Sequence, residues 1–331
     1  MSPTLTVIIP ALNEAGSIPR LLELLAAQTS PPDAIVVADA HSTDDTRAIA
    51  AAAGALVVDG GMPGVGRNAG AAIASTDLIL FLDADTEPPT DWIECALAEF
   101  EQRHLDIAAG QIEPIERDAG DDFACDAANL YLLLMQHIQP HAPGFCILVR
   151  RDLHERIGGF DETVVLAEDH DYAQRAAQHG KFRILHGAPM PTSMRRIEKE
   201  GLVGLAFKYL YAEVHVLAGV PVREVPFEYE FAAFDSAKRE PVTLGLEAAR
   251  ERLREFGDEL AALPSSASEH LRELGEATSI ESVENLLREL EPQELAELRR
   301  YVRDRIEYTR RLGPVVVWRI RRRLGSARGP L

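Results

Sequence analysis

The sequence predicts an α/β fold, a mainly parallel sheet flanked by helices, with a helical C-terminal extension. Three observations carry this. In the first half, short apolar runs alternate with helical stretches, a pattern that loosens after Glu101. One run, Leu78 to Leu82, ends in two acids one residue apart, Asp83 and Asp85. Past about Glu240 the alternation gives way to glutamate, arginine and leucine at helical spacing. The expected division is therefore residues 1–240 and 241–331.

Taken in order, Thr4 to Pro10 is strand-like, and Ser17 caps a helix reaching about Gln28 with Pro19 in its first turn. Ala34 to Asp39 is the second strand. Ser42, Thr43 and Asp45 open a helix through Ala53. Leu56 to Asp59 is a short strand, Arg67 to Ala74 a helix, and Asp77 to Leu82 the strand that delivers the acids. Trp92 to Glu101 is a helix, Ile107 to Ile115 a single strand, and Asp122 to Gln139 an apolar-striped helix. A strand over Phe145 to Val149 precedes a short helix over Asp152 to Ile157. Asp169 to His179 is helical, Phe182 to Leu185 a strand, and Leu202 to Leu217 an apolar helix interrupted by Lys208, Glu213 and His215. The helices Leu244 to Leu263, Ile280 to Leu290 and Pro292 to Leu312 follow, with a linker at Pro264 to Ser268.

Composition narrows the function. With 46% hydrophobic residues the chain can build a sizeable core. No apolar run is long enough for a membrane span, and no secretory leader is expected. Cys95, Cys125 and Cys146 are scattered and odd in number, which fits buried thiols in a reducing compartment. A net charge of -19 repels phosphate backbones and argues against nucleic acid as a partner. The acid-rich, lysine-poor composition suits high-salt cytoplasm, and a GC-rich genome gives the same bias. Val315 to Leu324 sets Trp318 among four arginines without an acid. Such a segment is a candidate for peripheral contact with an anionic membrane face, and the tail helices leave homodimerisation open.

The chemistry concentrates where strands end. Asp83 and Asp85 leave the apolar layer at the carboxyl end of their strand, the edge where open α/β sheets bind ligands. Two carboxylates there repel each other unless a cation lies between them, and a hard divalent ion bridging to phosphate oxygens is the usual solution. Three other segments end strands or open helices on the same side: Pro10-Ala11-Leu12-Asn13-Glu14, Asp39-Ala40-His41-Ser42-Thr43-Asp44, and the glycine-rich Gly64-Val65-Gly66-Arg67-Asn68-Ala69-Gly70. The last resembles a dinucleotide fingerprint, yet it follows the third strand, the wrong place for an oxidoreductase fold.

In this order, with Gly158-Gly159-Phe160-Asp161-Glu162 and Glu168-Asp169-His170-Asp171, these segments resemble the nucleotide-sugar-dependent family 2 glycosyltransferases, which have the GT-A fold. The resemblance covers roughly Leu5 to Gly201. It implies a metal-dependent, inverting transfer of one sugar from a nucleoside-diphosphate sugar to an acceptor hydroxyl, lipid-linked or small. Pro10, Ala11, Asn13 and Glu14 would line the nucleoside pocket, and Asp39 would accept hydrogen bonds from the base or ribose. Arg67 would approach the base or pyrophosphate through glycine-permitted backbone contact. Asp83 and Ala84 would lie along the donor. Asp85, with Asp83, would hold Mg or Mn. Asp169 would be the general base, with Glu168 orienting it or meeting the acceptor. The plainer alternative for these two is a pair of acids favoured by a helix dipole.

Gly144 would let a sugar ring sit on the backbone, and Arg195 and Arg196 would grip the leaving diphosphate. His186 is a weaker candidate for a third metal ligand. Two departures stand out. Many relatives have glycine or a second acid where this chain has Ala40-His41, which opens the identity of the base. The Gln-x-x-Arg-Trp motif of processive synthases is absent, which favours single addition. A noncatalytic nucleotide-binding scaffold acting through its helical tail is the alternative from another class. The implied location is cytoplasmic, with the tail resting on the inner face of the cell membrane.

Overall fold

The computed structural model describes residues 3–116, 119–193, 208–209 and 211–225. The 241–331 extension, the Arg-rich end, Arg195 and Arg196 lie outside the described residues.

Strands β1 (Leu5–Ala11), β2 (Ala34–Asp39), β3 (Leu56–Asp59) and β4 (Leu78–Leu82) pair in parallel, joined by helices α1 (Ile18–Ala26), α2 (Thr46–Ala52) and α3 (Pro63–Ala71). Helix α4 (Trp92–Gln102) leads to β5 (Ile107–Ala109) and β6 (Ile112–Pro114). Then come α5 (Ala119–Met135), β7 (Cys146–Arg150), α6 (Arg151–Arg156), α7 (Glu168–Ala177), β8 (Phe182–Ile184) and β9 (Met190–Thr192). The main sheet has the order β3-β2-β1-β4-β7-β5-β8, with β7 antiparallel to both neighbours. A second, two-stranded sheet pairs β6 with β9.

Strand alternation sorts the core into two layers. Leu5, Val7, Ile9 and Ala11 of β1 and Leu78, Leu80 and Leu82 of β4 join α1 and α4 on one face. Ile8, Ile79 and Phe81 join Leu153, Phe160, Tyr172, Ala173 and Ala176 on the other. The buried residues of α1, Ile18, Leu21, Leu22 and Leu25, fall on one helical stripe.

Three expectations needed correction. Ser17 occupies the N-cap position of α1, but its side chain makes no capping bond. The Glu14 carbonyl accepts from the Ser17 and Ile18 amides instead. The single strand over Ile107 to Ile115 is two strands in two sheets. It breaks at Gly110, where a Cβ would meet the Cys146 sulfur at 3.0 Å as the chain crosses the start of β7.

Helix α3 begins at Pro63, not Arg67, because proline at the first turn supplies the helical φ at no cost. Its glycines therefore sit inside the helix and serve packing. A Cβ at Gly70 would lie 2.4 Å from Ile8 Cγ2, and one at Gly66 3.4 Å from Pro10 Cβ. The glycines let α3 press onto β1, and that closeness sets where Arg67 emerges.

Candidate active site

The chain leaves β1 for β2 and β3 on one side, while β4 flanks β1 on the other. This is a topological switch point, and in open α/β sheets the ligand crevice lies there, at the carboxyl ends of the strands. Ala11, Asp39 and Leu82 all end at that edge. The Asp83 amide donates to the Phe145 carbonyl at 3.1 Å, which joins the acid segment to the loop before β7.

Arg67 is the hub. It is 3% exposed. Its Nη1 donates to Glu168 Oε1 at 2.7 Å, and its Nη2 donates to Asp83 Oδ1 at 3.2 Å and to the Gly144 carbonyl at 3.0 Å. The guanidinium lies over the Phe160 ring, 5.3 Å from its centroid. Burial disfavours its charge, but Asp83, Glu168 and Asp169 outweigh that and hold it protonated. Burial, reinforced by Asp169, pushes the Glu168 carboxyl above its usual range against the pull of Arg67. Gly144 fits between the groups: a Cβ there would lie 2.8 Å from Asp169 Oδ2 and 2.9 Å from Arg67 Nη2. Asp169 and Asp83, 86 positions apart in the chain, therefore meet around one guanidinium.

The motif over 158–162 supports that hub. Asn68 Nδ2 donates to the Phe160 carbonyl at 2.9 Å, and Asn68 Oδ1 accepts from the Phe160 amide at 2.8 Å. Gly159 has φ 72°, and a Cβ on it would strike Asn68 Oδ1 at 2.5 Å, so glycine is required on both counts. Phe160 then stacks on Tyr172 of α7 at 4.0 Å. Arg67, Asn68 and the glycine-rich loop form one unit that fixes the start of α7. Asp171 pairs with Arg175 at 2.8 Å, which leaves it to stiffen that helix.

At the other end of the crevice, Asp39 is 1% exposed. Its Oδ2 accepts from the Ser42 amide at 3.2 Å and from Arg47 at 3.3 Å, while its Oδ1 has no partner among the described residues. A buried carboxylate oxygen without a donor is costly unless a ligand supplies one. Asn13, at φ 55°, accepts from the Thr43 amide at 2.8 Å and donates its own amide to Ser42 Oγ at 2.9 Å, tying the two loops together. His41 has φ 61°, a region glycine enters freely and histidine only at a cost.

Asp83 and Asp85 are half-buried, while Ala84 and Thr86 turn inward, so the two acids share one side of the segment. Asp85 also meets the chain from β9: its carbonyl accepts from the Ser193 amide at 3.3 Å, and Thr86 bridges Thr192. The Arg195-Arg196 pair follows directly in sequence. The side chains of Pro10, Ala11 and Ala84 are buried and support the crevice from beneath. Glu14 is buried too, with its amide on Thr46 Oγ1 at 2.8 Å. The His186 amide is held by Glu99 of α4 at 2.9 Å, away from the Arg67 hub. Sequence reasoning missed Arg47, which bridges Asp39 and Asp59 at 3.3 and 2.9 Å. Its only sequence signal was a lone cation opening the helix after an acid-rich loop.

Comparison with known proteins follows the same lines. The family model for glycosyl transferase family 2 matches residues 6–158. Glycosyltransferase AglE of Haloferax volcanii is 25% identical over 190 residues, covering 54% of this chain and 62% of that protein. A pre-mycofactocin glycosyltransferase of Mycobacterium tuberculosis is 30% identical over 126 residues, covering 36% of this chain and 27% of that one. The alignments thus span less than two thirds of these relatives. Among solved structures, a Pyrobaculum calidifontis mannosyltransferase, determined with GDP-Man and Mn2+, superposes with TM-score 0.54 at 20% identity, covering 91% of this chain and 86% of that chain. S. aureus TarS (residues 1–349), determined with UDP-GlcNAc, gives TM-score 0.52 at 18% identity, covering 83% and 91%. The fold is that of the GT-A glycosyltransferases, and residues 6–158 match the model of glycosyl transferase family 2.

Proposed function

We propose that this protein transfers a single sugar from a nucleoside-diphosphate sugar to an acceptor hydroxyl with inversion at the anomeric carbon. The observation that carries this is the convergence of Asp83, Glu168, Asp169 and Gly144 on Arg67 at a switch-point crevice. The family match and the relatives' names support the reaction class.

Each residue then has a task. The open oxygen of Asp39 receives a donor from the base or ribose, and the loop locked by Asn13 shapes that pocket. Arg67 is too encased to move onto the diphosphate. Its role is to hold Glu168 and the Gly144 loop, and so to set the position of Asp169. Asp169, with its side chain 18% exposed, takes the proton of the acceptor hydroxyl as that oxygen attacks. Two half-buried carboxylates sharing one side of a strand end are a fitting donor set for a hard cation. Asp85 and Asp83 would hold Mg or Mn there. When bound, such an ion neutralises charge on the departing diphosphate. Arg195 and Arg196, a few residues past the Ser193–Asp85 contact, are placed in sequence to grip the same phosphates. Among the described residues no helix is long and apolar enough to cross a membrane. The reading keeps the protein cytoplasmic, with Val315 to Leu324 touching the inner membrane face. Truncation after Leu312 should then reduce co-sedimentation with anionic vesicles.

The test is donor turnover over a panel of nucleoside-diphosphate sugars with Mn or Mg. The reading requires turnover of at least one donor, its loss in Asp85→Ala, and its loss in Asp169→Asn. Nucleotide binding without turnover of any donor would favour a scaffold.

A further inference from the structure

One cluster lies beside this site and takes no part in the transfer just described. His141, from the loop after α5, His170, the second residue beyond the Glu168 start of α7, and Glu213, from the helix over 211–217, bring three ligand atoms within 4.8 Å of one another. Three segments far apart in the chain meet there. The His141 side chain is 1% exposed, that of His170 20% and that of Glu213 25%. The cluster is thus enclosed on one flank and reachable on the other.

The imidazole hydrogen bonds fix which nitrogens are available. His141 Nδ1 lies 2.5 Å from the Gln139 carbonyl, and His170 Nδ1 lies 2.9 Å from the Ala142 carbonyl. A carbonyl oxygen only accepts, so each Nδ1 carries the hydrogen. Each Nε2 is then the ring atom left to face the cluster. A backbone carbonyl on the far nitrogen is the usual support of a metal-binding histidine. His141 Nε2 faces Glu213 Oε1 at 3.1 Å, a contact that either a proton on Nε2 or a cation shared by the two would satisfy. Tyr131 donates to the same carboxylate and steers it. Donor atoms around a tetrahedral zinc ion sit about 3.4 Å apart, so small side-chain rotations complete the set.

We propose that His141, His170 and Glu213 bind a divalent transition metal, with zinc the best chemical fit, at a site separate from the donor cation. Two imidazoles and one carboxylate suit zinc and disfavour magnesium, whereas the carboxylates at Asp83 and Asp85 have the reverse preference. The ion clips the 211–217 helix to the catalytic body. That helix already docks there through the Gln139 Nε2 bond to the Val216 carbonyl at 2.7 Å, and the chain just after it through the Leu166–Val222 bridge. It also steadies the first turn of α7, where the His170 amide donates to Asp169 Oδ1 at 2.9 Å.

The test uses the full chain stripped with a chelator and dialysed. Zinc content is measured after re-addition of Zn2+, and Co2+ is titrated as a spectroscopic probe. The expected result is one zinc ion per chain, visible d–d bands with Co2+, and a rise in melting temperature with Zn2+. His141→Gln and Glu213→Gln should lose the bands while Asp85→Ala keeps them, with circular dichroism confirming each fold. Failure of the wild-type chain to retain zinc or give cobalt bands would overturn the proposal, whatever the variants do. So would bands that survive in both variants. Loss of donor turnover in the Asp85 variant with the bands intact would show that the two metal sites are distinct.

Discussion

The two halves of the sheet reach the same crevice by different means. In the half built from β1 to β4, parallel strands carry side chains straight to their carboxyl ends, and Asp39 and Asp83 arrive there by local geometry alone. In the half around antiparallel β7, no strand ends at the site with a working acid. Glu168 and Asp169 are delivered by a helix start, and that start depends on contacts made across the molecule. Ala167, at its N-cap, has φ 60° without being glycine, and Glu168 is held by an arginine 101 residues away. The first half is set by periodicity, the second by long-range pairing. Left-handed backbone occurs in both, at Asn13 and His41 in the loops of the first and at Ala167 in the second, and in each the surrounding structure must over-determine it.

Asp169→Asn removes the proposed base and should cost about 10²- to 10⁴-fold in donor turnover, measured with nucleotide affinity held as a control. A variant that kept its rate would leave α7 as scaffolding only. Next in size is Arg67→Met. Breaking a buried pair by removing one partner costs about 3–5 kcal/mol, here by stranding Glu168, and chemical denaturation should show a loss on that scale. A loss below about 1 kcal/mol, the size of an exposed ion pair, would mean the two halves are not joined through this residue.

His154 probes the packing behind α7. Burial lowers its pKa from 6.5 to about 4, and its Nδ1 lies 2.9 Å from the Tyr172 hydroxyl. Above pH 6.5 the ring is neutral whether folded or unfolded, and its contribution is fully present. As pH falls from 6.5 towards 4, the unfolded chain takes up the proton and the native state does not. Stability should therefore drop by up to about 3 kcal/mol across that window. His154→Asn should flatten this part of the melting profile, and an unchanged slope would place the titration elsewhere.

The first half has its own test in Gly70→Ala. The added Cβ would meet Ile8 at 2.4 Å, and overpacking of this kind costs about 1–3 kcal/mol. Tolerance of alanine would mean that α3 can lift off β1. The smallest expected effect is a gain. Ala167→Gly should relieve the left-handed backbone by about 1 kcal/mol, read as a higher melting temperature. A loss of stability there would show that the N-cap backbone is not strained.

The same contrast explains what could be read in advance. Strands β2 and β3 matched their expected bounds because alternation and flanking turns are local signals. The acid pair at the end of β4 was legible for the same reason. The role of the 158–162 motif was not, because the Asn68–Phe160 hydrogen bonds join segments 92 positions apart. Nor was the purpose of Gly144, which is defined by side chains from α3 and α7 rather than by its neighbours. The glycines of α3 were read as permitting close backbone approach to a ligand, whereas Gly66 and Gly70 answer to Pro10 and Ile8 of β1 and Gly64 faces Phe160 and Glu168. Gly110 broke an apparently continuous strand because the atom it must avoid belongs to Cys146.

On the proposed reading, Asp85, Asp83 and Asp169 border one crevice that holds a nucleoside diphosphate and its cation. Crystals grown with Mn2+ and a nucleoside diphosphate, with anomalous data collected at the manganese edge, test it most directly. Manganese is expected on the Asp85 carboxylate, with the diphosphate beside it and the base within hydrogen-bonding reach of Asp39 Oδ1. A nucleotide bound elsewhere, with no manganese at Asp85, would contradict it.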